Sequence, residues 1–361
     1  MSQAIYKPKI RLAKKLKVAL FLFTTLLMVT SPIALLPREG MLNISVWSNY
    51  IPSQIILKFE NETGIKVNLT EYDSNEALYA KLKTNPKQTY DLIFPSDYTV
   101  QRMIHQDMLH PMDLNKIKNS HYLNPLVMNR FFDPHNHYSL PFTWGTTGIV
   151  VNDHYYDPKT IKSYADFWSP RFKNQLLLLN DSREVFAIAL RTLGYSINET
   201  NPEHIDQAYL LLKKLIPNVK LFNSEAIISI YTDEDARIGM SFNGDAYTAI
   251  KENPHLHYLY PRKGVGLWID SFAIPKHAAH LNSAYQFIDF ILRPEISAEI
   301  VKVDGYSSAN VAAMKSLPPE LRNNSVINPS PKQVQSAEMI MDVGKAKAIY
   351  EHYWQLLKIS S

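Results

Sequence analysis

Trp268 and Asp270 stand two residues apart in the run GVGLWIDSFAIP, from Gly264 to Pro275, whose apolar and β-branched residues predict a buried strand. Alternation along a strand turns both side chains to the same side. A lone buried carboxylate is costly unless a cation or donors meet it. Two arrangements satisfy it. Either a π face and an anion jointly hold a cationic ligand, or Trp268 fills a core while Asp270 pairs with a Lys or Arg, as structural ion pairs do. The residues alone leave both open.

The other candidates lie where predicted strands end: Trp47 and Ser48, Ser96, Asp181, Phe242 and Asp245. Ligands of open α/β sheets bind beyond the carboxyl ends of the strands. Each candidate has a structural alternative. Asp181-Ser-Arg-Glu184 opens a helix, and an Asp cap with Glu at the third helical position is the acidic relative of a capping box. Trp47 and Tyr50 could be core, and Ser96 could cap the helix that follows it. The pairs His135/His137 and His255/His257 lack further partners at metal-ligand spacing. No G-x-S-x-G, H-E-x-x-H or P-loop is present, and GVGLWI lacks the third glycine of a dinucleotide fingerprint. Binding signals therefore outnumber catalytic ones.

The elements that must carry these residues alternate. NISVW, IKVNLTEY and YDLIFPS predict strands, separated by amphipathic helices over PSQIILKFENETG and Ser74 to Lys83 and followed by one over Tyr98 to Gln106. This βαβ rhythm predicts a mainly parallel sheet. HNHYSLPFTWGTTGIVVN reads as two extended runs around Trp144-Gly145, long enough to pass between domains. The strand NQLLLLN, helices over Ser182–Leu193 and around Ile205–Leu215, the strands RIGMSFN and LHYLYP, and helices over Leu281–Leu292 and Pro294–Val301 complete the pattern.

The chain has 361 residues, enough for two domains. It has no cysteine, which removes disulfides, thiolate nucleophiles, Cys-ligated metals and an N-terminal lipidated Cys. Six basic residues, from Lys7 to Lys17, precede any acid; without them 32 Lys and Arg face 34 Asp and Glu, so the body is slightly acidic and speaks against a nucleic-acid partner. Those six lead into the apolar Val18–Leu36. A basic stretch before an apolar one predicts a signal peptide, or an uncleaved anchor ahead of the same exported body.

Taken together, VWSNYIP, FENETGIKV, YDLIFPSDY, LPFTWGTTGIVVN, NDSREVFAIALRTLGYSIN, LKKLIPNV, FNGDA, GLWIDSFAIP, FILRPE, DGYSSAN and DVGKAKAIYEHYWQLLK resemble the periplasmic spermidine/putrescine-binding proteins of bacterial polyamine ABC transporters, in order and from about Leu42 to Lys358. The resemblance implies the type II periplasmic binding protein fold, two α/β domains with a ligand cleft between them and chain crossings near 146 to 148, 266 to 268 and 315. After a leader over 1–37, one domain would comprise 38–146 and 269–315 and the other 147–268 and 316–361. It further implies that Trp47, Tyr50, Tyr98, Phe242, Trp268 and Tyr306 wall the ligand, that Asp181, Glu184 and Asp270 anchor its ammonium groups, and that Ser48 and Ser96 add polar contacts.

Two positions depart from the spermidine-type pattern. Phe242 stands where a Trp is typical, and Ile340 stands where the spermidine binder has a Gln ligand. Asp245, in FNGDA, resembles the acidic position of putrescine-binding relatives. The expectation is a periplasmic, non-catalytic monomer without cofactor or metal that delivers a polyamine to an inner-membrane ABC permease. A receptor for another cationic or amino-acid-like solute is the alternative, and the latter would call for an Arg in the cleft. An exported hydrolase using Asp181 and Glu184 is the alternative from another class, but one helical turn sets both carboxyls on the same side of a ligand, whereas glycosidase carboxylates flank the bond they cleave.

Overall fold

β1 (Met41–Trp47) leads through Pro52 into α1 (Ser53–Thr63), which ends at Gly64 in the left-handed conformation expected of a helix stop. The computed structural model describes residues 40–48, 50–85, 90–262, 266–335 and 337–359. The leader expected over 1–37 lies outside them, as do Gly264 and Val265. β2 (Lys66–Tyr72) and β3 (Leu92–Ile93) flank β1 in parallel. Between them, α2 (Asn75–Thr84) starts at Ser74, whose hydroxyl accepts the Ala77 N–H. α3 (Asp97–His105) follows β3. The hydrophobic periodicity of this part translates directly into alternating strand and helix.

The second half adds β4 (Ser139–Asn152), β5 (Leu176–Leu178), β6 (Val219–Phe222), β7 (Ile238–Phe242), β8 (Leu256–Leu259) and β9 (Gly266–Ala273). The helices carrying the site here are α4 (Ser182–Leu193), α5 (Asn243–Glu252) and α6 (Pro294–Asp304). One sheet runs β2-β1-β3-β9-β4-β7-β5-β6. It is mixed rather than mainly parallel, because β4 is antiparallel to both β9 and β7. Apart from a short parallel pairing of Glu338 and Met339 beside β9, the parallel pairs lie at the two ends, where helices connect successive strands, while β4 and β9 are long antiparallel passages through the middle.

β4 is also a single strand, where two runs were expected around Trp144-Gly145. Its first half pairs with β9 from Ser139 to Thr147 and its second with β7 from Thr147 to Val151, so Trp144 and Gly145 are held in the ladder throughout. The one irregularity falls between Pro141 and Thr143, next to a residue with no N–H to donate.

Two hydrophobic cores form the lobes of this α/β fold. Leu140 and Phe142 of β4 belong to the first, with Leu42, Phe59, Phe94, Phe272 and Phe287; Ile149, Val150 and Val151 belong to the second, with Leu177, Phe186, Tyr231 and Tyr350. Each such side chain contributes about 1.5–3 kcal/mol by leaving water. Met339 packs with the first core and Val343 with the second, so the chain passes between them again there. Phe242 touches both.

Gly145 shows how the middle strands serve the site. A Cβ there would lie inside the contact radii of the Asn243 amide oxygen and the Trp268 ring, and that amide oxygen accepts the Thr146 N–H at 2.9 Å. Gly145→Ala is expected to cost about 1–3 kcal/mol through overpacking. The midpoint of urea unfolding checks this, and an unchanged midpoint would show that the ring gives way freely.

Candidate ligand cleft

Asp270 lies in the middle of β9, 2 % exposed. Its two carboxyl oxygens are met by hydroxyls, not by a cation: Tyr50 donates to Oδ2 and Ser96 to Oδ1, each at 2.5 Å. Ser96 occupies the N-cap position of α3 but makes no side-chain cap bond. Its hydroxyl instead receives the Asn75 amide at 3.0 Å, while its N–H donates to the other end of that amide. Both structural alternatives thus give way here: Asp270 has no Lys or Arg partner among the described residues, and Ser96 is spent on Asp270. Burial outweighs the two hydroxyl bonds and pushes the Asp270 carboxyl up to about 7.

Asp181 caps α4, as its spacing predicts, with the N–H groups of Arg183 and Glu184 both bonded to Oδ1 at 2.8 and 3.1 Å. The capping box is not closed, because Glu184 reaches to the Thr147 hydroxyl of β4 at 2.9 Å. Cap and cleft roles coexist in Asp181, since it also lines the cavity. Desolvation raises Asp181 to about 6, and desolvation together with the neighbouring Asp181 raises Glu184 to about 8. Arg183 does not neutralise them at close range. Its guanidinium is bonded to the Met341 and Ile197 carbonyls and the Asn198 amide.

These groups line one cavity of about 350 Å³, within the range of small-molecule sites. All twelve expected residues reach it: Trp47, Ser48, Tyr50, Ser96, Tyr98, Asp181, Glu184, Phe242, Asp245, Trp268, Asp270 and Tyr306. Rings from different elements form its walls. Tyr50 packs on Tyr306 at 5.4 Å between centroids, Tyr306 on Trp268 at 5.3 Å and Trp268 on Phe242 at 5.8 Å. Trp47 packs, tilted, against Tyr72 at 4.8 Å between centroids, and the Tyr72 hydroxyl donates to the Phe94 carbonyl. Gly244 permits the Tyr306 ring to come close, because any Cβ would meet its edge. Ile340 also lines the cavity, packed with Tyr98, Ala187 and Ile197, so the position of the expected Gln contact is apolar here.

The lining holds further acids not anticipated from the sequence: Asp73, Asp97, Glu225 and Asp304. With Asp181, Glu184, Asp245 and Asp270 they make eight, and no Lys, Arg or His is among the described lining residues. Asp245, beside the Tyr306 hydroxyl, is raised to about 7 by desolvation. Asp97 and Asp304 are driven well above the usual range by the same cause. Asp97 keeps one oxygen on the Tyr98 N–H at 2.7 Å, and its other oxygen has no partner. Asp73 stands at the end of β2, where the strand-end rule would have found it. Glu225 follows β6, a short strand with no clear pattern. The His255 and His257 rings both hydrogen-bond Asp153 on the surface, at 2.8 and 2.7 Å, away from this lining.

The raised carboxyls set a pH dependence for the empty protein. In the unfolded chain Asp and Glu ionise near 4, whereas Asp181, Asp245, Asp270 and Glu184 hold their protons to about 6, 7, 7 and 8. The folded state therefore binds more protons in between, and stability is lost as pH rises through these values. The melting temperature of ligand-free protein is expected to fall from pH 5 to pH 8, and less steeply in Glu184→Gln. A melting temperature that rose over this interval would contradict the assignment.

The family profile of bacterial extracellular solute-binding proteins matches residues 54–324. A spermidine/putrescine-binding periplasmic protein of Salmonella typhimurium is 45 % identical over 312 residues, 86 % of this chain and 90 % of that protein. A putrescine-binding periplasmic protein of Pseudomonas aeruginosa is 31 % identical over 88 % of this chain and 92 % of its own. Among solved structures, the substrate-binding protein of a spermidine/putrescine ABC transporter from Streptococcus pneumoniae superposes with a TM-score of 0.75 at 33 % identity, covering 89 % of this chain and 99 % of that one. These relatives are substrate-binding transport proteins rather than enzymes. A periplasmic binding protein fold with two α/β lobes, an acidic and aromatic cleft and a match over most of its length make this chain a member of the bacterial extracellular solute-binding protein family.

Proposed function

We propose that this protein captures a polyamine, spermidine or putrescine, outside the cytoplasm and delivers it to an inner-membrane ABC permease for import. One observation carries the reading: a cavity walled by aromatic rings holds eight acidic side chains and, among the described lining residues, no basic one. A polyamine alternates methylenes with ammonium groups. Rings offer the methylenes apolar contact and the cations a negative face, while carboxylates fix the charge spacing. The alkylammonium groups, with pKa values near 10, supply the charge that Asp181, Glu184, Asp245 and Asp270 lack when desolvated and alone. An amino-acid-like ligand would bring a carboxylate, and no basic side chain among the described lining residues would receive it. The spermidine- and putrescine-binding relatives support the same ligand class.

The protein acts as a monomer and catalyses nothing. The twelve expected residues bind, with Asp181, Glu184, Asp245 and Asp270 as ammonium anchors. The lobes, 38–146 with 269–315 and 147–268 with 316–361, close on the ligand by bending where β4 and β9 pass between them. The leader over 1–37 directs export and is either removed or kept as an anchor.

Spermidine or putrescine at 100 times its dissociation constant is expected to stabilise the fold by about 2.7 kcal/mol, a rise of several degrees in melting temperature, while amino acids and sugars give no shift. Asp270→Asn keeps the side chain's shape and one acceptor oxygen for the two hydroxyls of Tyr50 and Ser96, turns the other oxygen into an NH2 donor and removes the charge; it is expected to weaken polyamine binding by about 2–5 kcal/mol, thirtyfold or more. Titration calorimetry checks this. Unchanged affinity in a folded variant would remove Asp270 from the site.

A further inference from the structure

Asp304 is the last residue of α6, and three features make a carboxylate unfavourable there. Its side chain is only 9 % exposed. It ends a helix, where the backbone dipole already presents negative charge. A second carboxyl, Asp245, lines the same cavity and lies near enough to disfavour its charge. Its contact with the backbone needs no charge: Oδ1 accepts the Tyr306 N–H at 3.0 Å, a turn that an Asn would close equally well. No hydrogen bond or ion pair joins Asp304 to a cation among the described residues. A carboxyl kept in such a place fits a partner that brings positive charge.

The position of the pair within the cleft is informative. Asp245 hydrogen-bonds the Tyr306 hydroxyl, and the Tyr306 ring packs on Tyr50 and Trp268. Tyr50 in turn holds Asp270. Glu184 is tied instead to Thr147, and Asp181 to the start of α4. Asp245 is thus linked to Asp270 through the rings of Tyr306 and Tyr50, whereas Glu184 and Asp181 are held by β4 and by the start of α4.

We infer that Asp304 acts with Asp245 as a second cation station, which takes a terminal ammonium of a linear polyamine whose other charges lie at Asp270 and at Asp181 with Glu184. This rests on the polyamine reading of the cleft and extends it: the ligand class favoured is a triamine that can occupy all three stations at once.

Asp304→Asn preserves the turn and removes the charge. Wild type and this variant are titrated with spermidine and with its two mono-acetylated derivatives, each lacking one terminal charge, and the melting temperature of the variant reports its fold. Spermidine affinity is expected to fall tenfold or more in the variant, while the derivative whose acetyl group occupies this station binds both proteins alike. Equal spermidine affinity in the two proteins would overturn this inference alone. A uniform weakening toward all three ligands would overturn it as well, since that is the mark of a deformed cleft. Wild-type protein that bound none of them would overturn the polyamine reading and this inference together.

Discussion

Carboxyl groups taken out of water with no cation to meet them are the constraint on which this structure turns. A buried anion must be paired, bonded or protonated, and the cleft uses the latter two. Tyr50 and Ser96 bond Asp270, Thr147 bonds Glu184 and the first turn of α4 bonds Asp181. None of these donors offsets the desolvation, so the groups keep their protons into the neutral range. The empty protein thus keeps these carboxyls largely neutral by holding their protons. A ligand with several fixed charges displaces those protons, and a neutral or singly charged solute does so only in part. In the polyamine reading proposed above, selectivity for polycations follows from the environment of the acids as much as from their number.

The rest of the fold holds those acids apart from cations of the protein's own. Arg183, one turn from Asp181, is committed to carbonyls of the 197 and 341 segments. Buried Asp91 and Asp133, by contrast, are surrounded by backbone N–H donors and serve structure. The same residue type therefore does two jobs, separated by what surrounds it. β4 and β9 make the difference possible, because they carry Thr147, Trp268 and Asp270 to the place where the two cores meet, and Gly145 lets the Trp268 ring approach β4 closely.

Much of this was legible in the sequence. The helix over Ser182–Leu193, with Asp181 before it and Gly194 after it, folds as its caps dictate. The strand-end rule and the family resemblance together led to residues that share one cavity. Two features were not legible, for physical reasons. Trp144-Gly145 reads as a break because glycine weakens a strand, yet pairing with β9 holds it extended. Asp97 and Asp304 carry no local signal, since one opens a helix and the other ends one, and only tertiary packing turns them to the cleft. Likewise the choice between a cation-paired Asp270 and an open one depends on Tyr50, 220 residues away.

The central claim is that the cleft carboxyls hold protons when empty and lose them to a polycation. Calorimetric titration with spermidine at pH 7, repeated in two buffers of different ionisation enthalpy, measures this directly. The account predicts a net release of protons on binding, because the ligand amines are already charged and the carboxyls near 6 to 8 become ionised. Binding with no proton release, or with proton uptake, would contradict it.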